Sequence, residues 1–340
     1  MITLGIESSC DDTSLAIVQD GVKILGNIIS SQIEVHRRFG GVVPEVASRK
    51  HLEAINPLLE ELFKTSGVSI ADVDNIAVTA GPGLLGALLV GLSTAKAISW
   101  TLGIPLIPVN HLEAHLSAAF LALEQPPSYP FIGMIVSGGH SNLLICRGVR
   151  DYQNLGRTVD DAPGELFDKI ARYLNIGYPG GPAIQKVGET GYSLRYVLPR
   201  PMAKKGYGFS FSGLKTAVLK IVQASDGNLN IPDLCASLQL AVADTITGKL
   251  EAAVDEFKIK KIVIAGGVAA NSVLRATVKT MTDAKGVQVL IPPVSLCTDN
   301  AAMVAANGFF ARKLYPSDNL DINSQAVWHI GSELPRDSIS

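Results

Sequence analysis

Asn110-His111-Leu112-Glu113-Ala114-His115 sets two imidazoles four positions apart in the chain. In a helix, residues four apart stand one turn above each other on one face, so the two rings can grip one metal ion. Glu113 sits between the histidines and not beside the first. The H-E-x-x-H pattern that gives a zinc protease its general base is therefore missing. An oxygen ligand completing the set would leave positions open for a substrate, and Asp299, at the start of a helix-like run, is the candidate. The plain alternative is a pair of satisfied or surface histidines.

Two glycine-rich turns suit phosphate. In Val136-Ser137-Gly138-Gly139-His140 the missing side chains let backbone N–H groups approach an anion, and Ser137 adds a hydroxyl. Gly266-Gly267-Val268 falls between a strand-like and a helix-like run, where helix-terminal N–H groups favour a nucleotide. Either one alone also reads as an ordinary tight turn, since neither matches a Walker or G-x-G-x-x-G pattern. Acids gather at Glu7, Asp11 and Asp12, and again at Asp160, Asp161, Glu165 and Asp168. These are either a solvated turn and an acidic helix start, or groups that handle metal and protons beside phosphate. Tyr178-Pro179-Gly180-Gly181-Pro182 reads as a rigid structural loop. The short basic clusters His36-Arg37-Arg38, Arg49-Lys50-His51, Lys204-Lys205 and Lys258-Lys260-Lys261 read as solvated faces.

The elements that must position these groups come in two similar sets. Strand-type runs at 3–8, 14–19 and 22–29 form a meander, with Asp20-Gly21 as a hairpin turn. A helix over 44–65, a strand over 75–79, a glycine-rich helix over 84–102 and a strand over 105–109 follow. The order then returns: strands over 131–137, 141–146 and 152–158, with a turn at Arg147-Gly148, and helices over 166–174, 212–223 and 234–257. A strand over 261–265, a helix from about Asn271, a strand over 288–291 and a helix over 299–314 close the pattern. An offset of 128 lays Gly5 on Gly133, Ser9 on Ser137, Leu15 on Leu143 and Ile17 on Ile145, which points to a duplicated two-lobe α/β protein. The first lobe spans 1–128 and is rejoined by a helix within 300–326. The second spans 129–299, with Gln125 to Pro130 as linker.

Composition agrees with a folded protein of about two domains: 340 residues, 47% hydrophobic and 18% charged. The formal net charge of -2 gives no global footprint for nucleic acid or anionic lipid. Four cysteines without a C-x-x-C pair argue against a disulfide framework and for a reducing cytoplasm. The 21 uncharged residues from Asn75 to Ala95 carry Gly81-Pro82-Gly83, Gly86 and Gly91, which fits a strand, a turn and a buried helix better than a membrane span.

Ten strings in order, G-I-E-S-S-C-D-D-T-S, G-G-V-V-P-E-V-A-S-R, T-A-G-P-G-L, N-H-L-E-A-H, V-S-G-G-H, F-D-K, Y-P-G-G-P, F-S-F-S-G-L-K-T, G-G-V-A-A-N and C-T-D-N-A-A-M, closely resemble the bacterial tRNA adenosine threonylcarbamoyltransferase family, once called glycoprotease. The resemblance runs over about residues 2 to 310. Asp12 stands where the family commonly has glutamate, and Ala114 where it often has glycine. It implies an actin-like ATPase fold of two ribonuclease-H-like lobes, with the substrate in the cleft between them. His111, His115 and Asp299 would then hold one divalent metal, iron first and zinc second. Ile135, Val136, Ser137, Gly138, Gly139, Asp168, Gly181 and Asn271 would hold the substrate, and Asp11 is the position to test for proton handling.

The reaction implied is transfer of the threonylcarbamoyl group from threonylcarbamoyl-AMP to N6 of the adenosine 3' of the anticodon, in tRNAs reading codons that start with A. AMP is released. ATP, ADP or AMP would fit the same adenine-nucleotide site. Implied partners are tRNA, a paralogous subunit of the same fold, a small ATPase and a separate enzyme that makes threonylcarbamoyl-AMP, with no membrane. Three rivals stand beside this reading. An actin-fold kinase would leave the histidines idle, a metalloprotease would lack its base, and a non-catalytic scaffold would be expected to have lost the motifs that are intact here.

Overall fold

Two five-stranded mixed sheets of the same topology carry the chain. The computed structural model describes residues 1–121, 123, 128–203, 205–314 and 320–333. Gln125 to Pro127 of the expected linker, and Lys204 of the basic pair, lie outside the described residues.

The first sheet opens with β1 (Ile2–Glu7), β2 (Asp12–Gln19) and β3 (Lys23–Ser31). Asp20 and Gly21 both take positive φ (53° and 73°), as a tight hairpin turn demands. Then come α1 (Ile33–Arg37), α2 (Pro44–Ser66), β4 (Asn75–Gly81), α3 (Leu85–Leu102), β5 (Leu106–Asn110) and α4 (His111–Ser117). The second sheet opens with β6 (Phe131–Val136), β7 (Ser141–Gly148) and β8 (Asp151–Arg157). It continues through α5 (Pro163–Tyr173), α6 (Gly180–Gly188), α7 (Ser212–Ala224), α8 (Ile231–Phe257), β9 (Lys261–Ala265), α9 (Ser272–Lys285) and β10 (Gln288–Leu290). The last helix is α10 (Ala301–Ala311). The strand orders are β3-β2-β1-β4-β5 and β10-β9-β6-β7-β8, one the mirror list of the other.

The register carries the duplication. Leu4 faces Ile17 and Ile6 faces Leu15 in the first hairpin; Ile132 faces Ile145 and Met134 faces Leu143 in the second, each shifted by 128. Two expectations are corrected. The loop opened by Tyr178-Pro179 turns at once into α6, whose Ile184 is buried in the core, so packing overrides the poor helix propensity of its glycines. The turn expected at Arg147-Gly148 lies beyond it, because β7 runs to Gly148 and the positive φ falls on Arg150.

Packing divides the chain into two units: Met1–Ser128 with Gly148–Tyr152 and Thr298–Ser340, and Tyr129–Arg147 with Gln153–Cys297. In the first unit β1, β2, β4 and β5 are buried on both faces while β3 is the partly exposed edge, and strict alternation sorts the side chains. Leu4, Ile6, Leu15, Ile17, Ile76 and Val78 meet Leu58 and Leu62 of α2 and Val90 and Leu92 of α3. The alternate positions are small: Ala16 packs against Ala301, Ala302 and Ala305, and Ala77 against Met303 and Val304, all on α10. Helix α3 is long and apolar enough to cross a membrane by length and composition, but Leu88, Leu92 and Ala95 along it are buried against its own unit.

Gly5 marks how close α10 lies to β1. A Cβ there would stand 2.2 Å from Ala301 O and 2.9 Å from Ala305 Cβ. Gly5→Val should therefore force the helix off the sheet and cost about 1–3 kcal/mol, read as a lower urea midpoint. Gly248→Ala on α8, where a Cβ meets open space, should hold or raise that midpoint.

Candidate functional site

Helix α4 begins where β5 ends. Asn110 closes the strand and caps the helix, its Oδ1 accepting the Leu112 N–H at 2.9 Å. This sets His111 and His115 on the first two turns, ring centres 4.6 Å apart and edge to face. Asp299 arrives from the other end of the sequence, one residue before the cap of α10. Asn300 Oδ1 accepts the Met303 N–H (3.0 Å), and the Ser14 hydroxyl accepts the Ala301 N–H (2.9 Å), which ties that helix start to β2.

The three groups converge within the first unit. Nε2 of His111 and Nε2 of His115 lie 3.5 and 3.3 Å from Asp299 Oδ1. Donors about 2.0–2.2 Å from one tetrahedral ion would stand roughly 3.3 Å apart, so this spacing fits a shared metal. The His115 side chain is fully buried, Nδ1 has no hydrogen-bond partner, and Nε2 faces only the Asp299 carboxylate. A buried imidazole with so little pairing is costly unless something else binds it. The residues present therefore fit a metal ion, with coordination positions to spare.

Glu7, grouped by sequence only with the acids of the first turn, completes the arrangement. Its carboxylate is fully buried at the end of β1. It accepts the Ser9 N–H (2.6 Å), the Thr79 hydroxyl (2.7 Å) and the His111 Nδ1–H (3.1 Å). With Nδ1–H given to Glu7, and Ser9 Oγ also 3.2 Å away, Nε2 is left to face Asp299. The internal repeat held a signal for this role, since the position 128 residues later is the apolar Ile135. An acid where the duplicate keeps a core residue needs a reason.

Electrostatics follow from burial and these neighbours. Burial alone depresses the His111 pKa, but the Asp299 and Glu7 carboxylates and the Glu7 hydrogen bond push it up to about 9, so a metal at Nε2 would have to displace a proton there. Burial holds His115 below its ordinary value, helped by His111 and opposed by Asp299. Glu7 is lowered: burial opposes its charge, and the His111 charge and hydrogen bond outweigh it. Burial, reinforced by Asp11, Asp299 and Glu7, pushes Asp12 up to about 7 against a hydrogen bond with Ser31. Asp11 is half-buried in the β1–β2 turn, and its carbonyl accepts the Gln32 N–H at 3.1 Å. Glu113 lies on the far side of α4 and accepts the Gly331 N–H at 3.2 Å, so its carboxylate is engaged away from the histidines.

The second unit gathers the expected phosphate residues at the C-terminal ends of two parallel strands, β6 and β9, where open α/β sheets bind ligands. Ile135 and Val136 are buried strand residues, and Ser137, Gly138 and Gly139 form the turn after them. The Ser137 N–H donates to His140 O (2.9 Å), and the Glu165 N–H to Gly138 O (3.0 Å). A Cβ on Gly138 or Gly139 would meet nothing within 4 Å, so the turn is open on one side. Gly266 (φ 97°) presses on Val136 O, where a Cβ would come to 2.4 Å. Asp168 Oδ1 accepts the Gly180 N–H (2.6 Å), which places it beside Gly181 at the start of α6. Asn271 caps α9 through Oδ1 and gives Nδ2–H to Gln239 Oε1 (2.8 Å).

The sequence profile of tRNA N6-adenosine threonylcarbamoyltransferase matches residues 23–306. A protein of that name from Geotalea uraniireducens is 49% identical over 98% of this chain and 97% of its own length. The chain belongs to the tRNA N6-adenosine threonylcarbamoyltransferase family. Another member, from Thermosipho africanus, is 49% identical over 93% of this chain and 94% of its own. The family is one of transferases, so the chain is an enzyme. Among solved structures, HypF from T. kodakarensis matches 94% of this chain and 49% of its own, with a TM-score of 0.62 at 14% identity. Component A of the (R)-2-hydroxyglutaryl-CoA dehydratase of Acidaminococcus fermentans matches 91% and 98%, with a TM-score of 0.56 at 16% identity. At such identities the likeness concerns the fold, which is the actin-like ATPase fold expected from the sequence.

Two outcomes test this geometry. Glu7→Gln should weaken metal binding about 10- to 100-fold in a chelator competition, because the His111 ring loses the carboxylate that orients it. For Asp12, a folded pKa near 7 against about 3.9 unfolded means the folded state keeps the proton longer, so stability falls as pH rises from about 4 to 7. Asp12→Asn should match the wild type near pH 4 and exceed it increasingly up to about pH 7, then by a constant margin, in urea titrations across pH.

Proposed function

We propose that this chain transfers the threonylcarbamoyl group of threonylcarbamoyl-AMP to the N6 amine of the adenosine 3' of the anticodon, in tRNAs reading codons that start with A. The observation that carries the site assignment is the convergence of His111, His115 and Asp299, with His115 buried and otherwise unpartnered. In the first unit these three residues hold one divalent ion, iron by preference over zinc. Glu7 keeps the His111 ring in the tautomer that offers Nε2. When bound, such an ion supplies Lewis-acid polarisation and an anchoring point for oxygen ligands.

In the second unit, Ser137, Gly138 and Gly139 receive the phosphate of the adenylate, with Ile135 and Val136 fixing the turn from below. Asp168, Gly181 and Asn271 bound the same pocket for the adenosine and threonyl parts. An aromatic exocyclic amine is a weak nucleophile, so the rate gain must come from holding the reactants in line and from stabilising charge on the attacked carbonyl oxygen. The new bond joins N6 to the carbamoyl carbon, the bond from that carbon to the phosphate oxygen breaks, and AMP leaves. Asp11 takes the proton that N6 gives up.

A net charge of -2 supports weak tRNA affinity for the isolated chain and a need for partners. Leu85, Leu89 and Trp100 are exposed along one stripe of α3, which supports docking of a same-fold subunit there. A small ATPase and the enzyme that makes threonylcarbamoyl-AMP complete the proposed set, in the cytoplasm.

The test is transfer to unmodified tRNA with threonylcarbamoyl-AMP and the partner proteins, the modified nucleoside being read by mass spectrometry. Wild type should give product, and His111→Ala at least ~100-fold less. A folded, metal-loaded wild type without product would overturn the reading.

A further inference from the structure

The matched family region ends at residue 306, yet the described residues beyond it make specific contacts with the helix that carries the histidines. Residues 320–333 form a strap on the first unit, to which the Gly148–Tyr152 turn also belongs. Ile322 and Trp328 are buried. The Gln325 N–H donates to Ala80 O (2.8 Å) and the Gly83 N–H to Ala326 O (3.2 Å), which fastens the strap to the end of β4. Two further bonds reach α4 and its cap. Asn110 donates Nδ2–H to Trp328 O (3.0 Å), and Glu113 Oε1 accepts the Gly331 N–H (3.2 Å). Arg150 donates to Ser332 O, and its guanidinium lies 5.7 Å from the centre of the Trp328 ring.

Helix geometry gives this pattern a direction. At about 100° per residue, Glu113 projects roughly 180° from the midpoint between His111 and His115. The strap therefore grips the back of the helix whose front carries the ligands. A seven-residue helix has little stability of its own and takes its orientation from what holds it. Its far end is held by α10, through the packing of Ala114 and Ala118 and the Asn307–Ser117 hydrogen bond, whereas the holds on its first turn include the Asn110 cap and Glu113, each bonded to the strap. Glu113 is 2% exposed, so losing its bond to the strap would leave a buried carboxyl group unpaired at a cost.

We propose that the strap of residues 320–333 is a positioning element for the metal ligands, fixing α4 through Asn110 and Glu113 so that both histidines stay aimed at Asp299. The proposal rests on the metal reading above and adds Glu113, Arg150 and the strap to the groups that set metal affinity. None of the three touches the ion; they act through α4.

Cobalt(II) added to the metal-free full-length chain is the probe. Affinity is read by chelator competition, ligand geometry by the visible absorption of bound cobalt, and folding by the urea midpoint of each metal-free variant. Glu113→Ala should weaken cobalt binding about 10- to 100-fold and alter the spectrum. Glu113→Gln, whose amide oxygen still accepts the Gly331 N–H, should stay near wild type in both. Arg150→Ala, a change outside the core, should fall between them. Wild-type affinity and spectrum in a folded Glu113→Ala would overturn the proposal, as would a Gln variant no better than Ala. A wild type that takes up no cobalt would instead overturn the metal reading, and this one with it.

Discussion

A carboxylate with no solvent contact sits at the end of the first strand, and the centre of the first unit is arranged around it. Leaving Glu7 charged and unpartnered in that place would cost several kcal/mol. The fold meets the demand with three donors from three elements: the turn after β1, the end of β4, and the first residue of α4. Because β1 lies between β2 and β4, and β5 leads into α4, these donors meet only if the strand order is the one observed. The same charge that must be compensated also selects the His111 tautomer. One buried acid thus links sheet topology to the placement of the His111 ring.

Much of this was legible in the chain. The meanders, the Asp20-Gly21 turn and the offset of 128 follow from short-range pattern and turn chemistry, and the shared register of the two hairpins shows why four identities carried weight. The convergence of His111 with His115 was readable as helical spacing. Asp299, 184 residues further on, was legible only as an acid at a helix start. Helix α6 was hidden because Gly180, Gly181 and Pro182 are weak helix formers, and only the core around Ile184 makes them helical. Glu7 and Glu113 were visible as acids but not as partners, since their roles lie in contacts with Thr79 and Gly331 that no local spacing encodes.

The duplication also lets one architecture present two turns of different character. After β1 the turn reads Ser9-Cys10-Asp11-Asp12; at the same offset after β6 it reads Ser137-Gly138-Gly139-His140. The first turn keeps side chains and gathers negative charge beside Glu7 and Asp299. The second discards side chains at two successive positions, which leaves the backbone of the turn uncovered. A Cβ on either of those glycines would meet open space, so the glycines are not there to relieve a clash within the fold. Where glycine is demanded by packing, as at Gly5 under α10, the neighbouring atoms are within 3 Å of the missing Cβ. The contrast separates glycines that build the sheet–helix contact from glycines that leave a turn open. It also makes the second turn a place where one added methyl group leaves the fold intact, whereas at Gly5 the same methyl group would collide with α10.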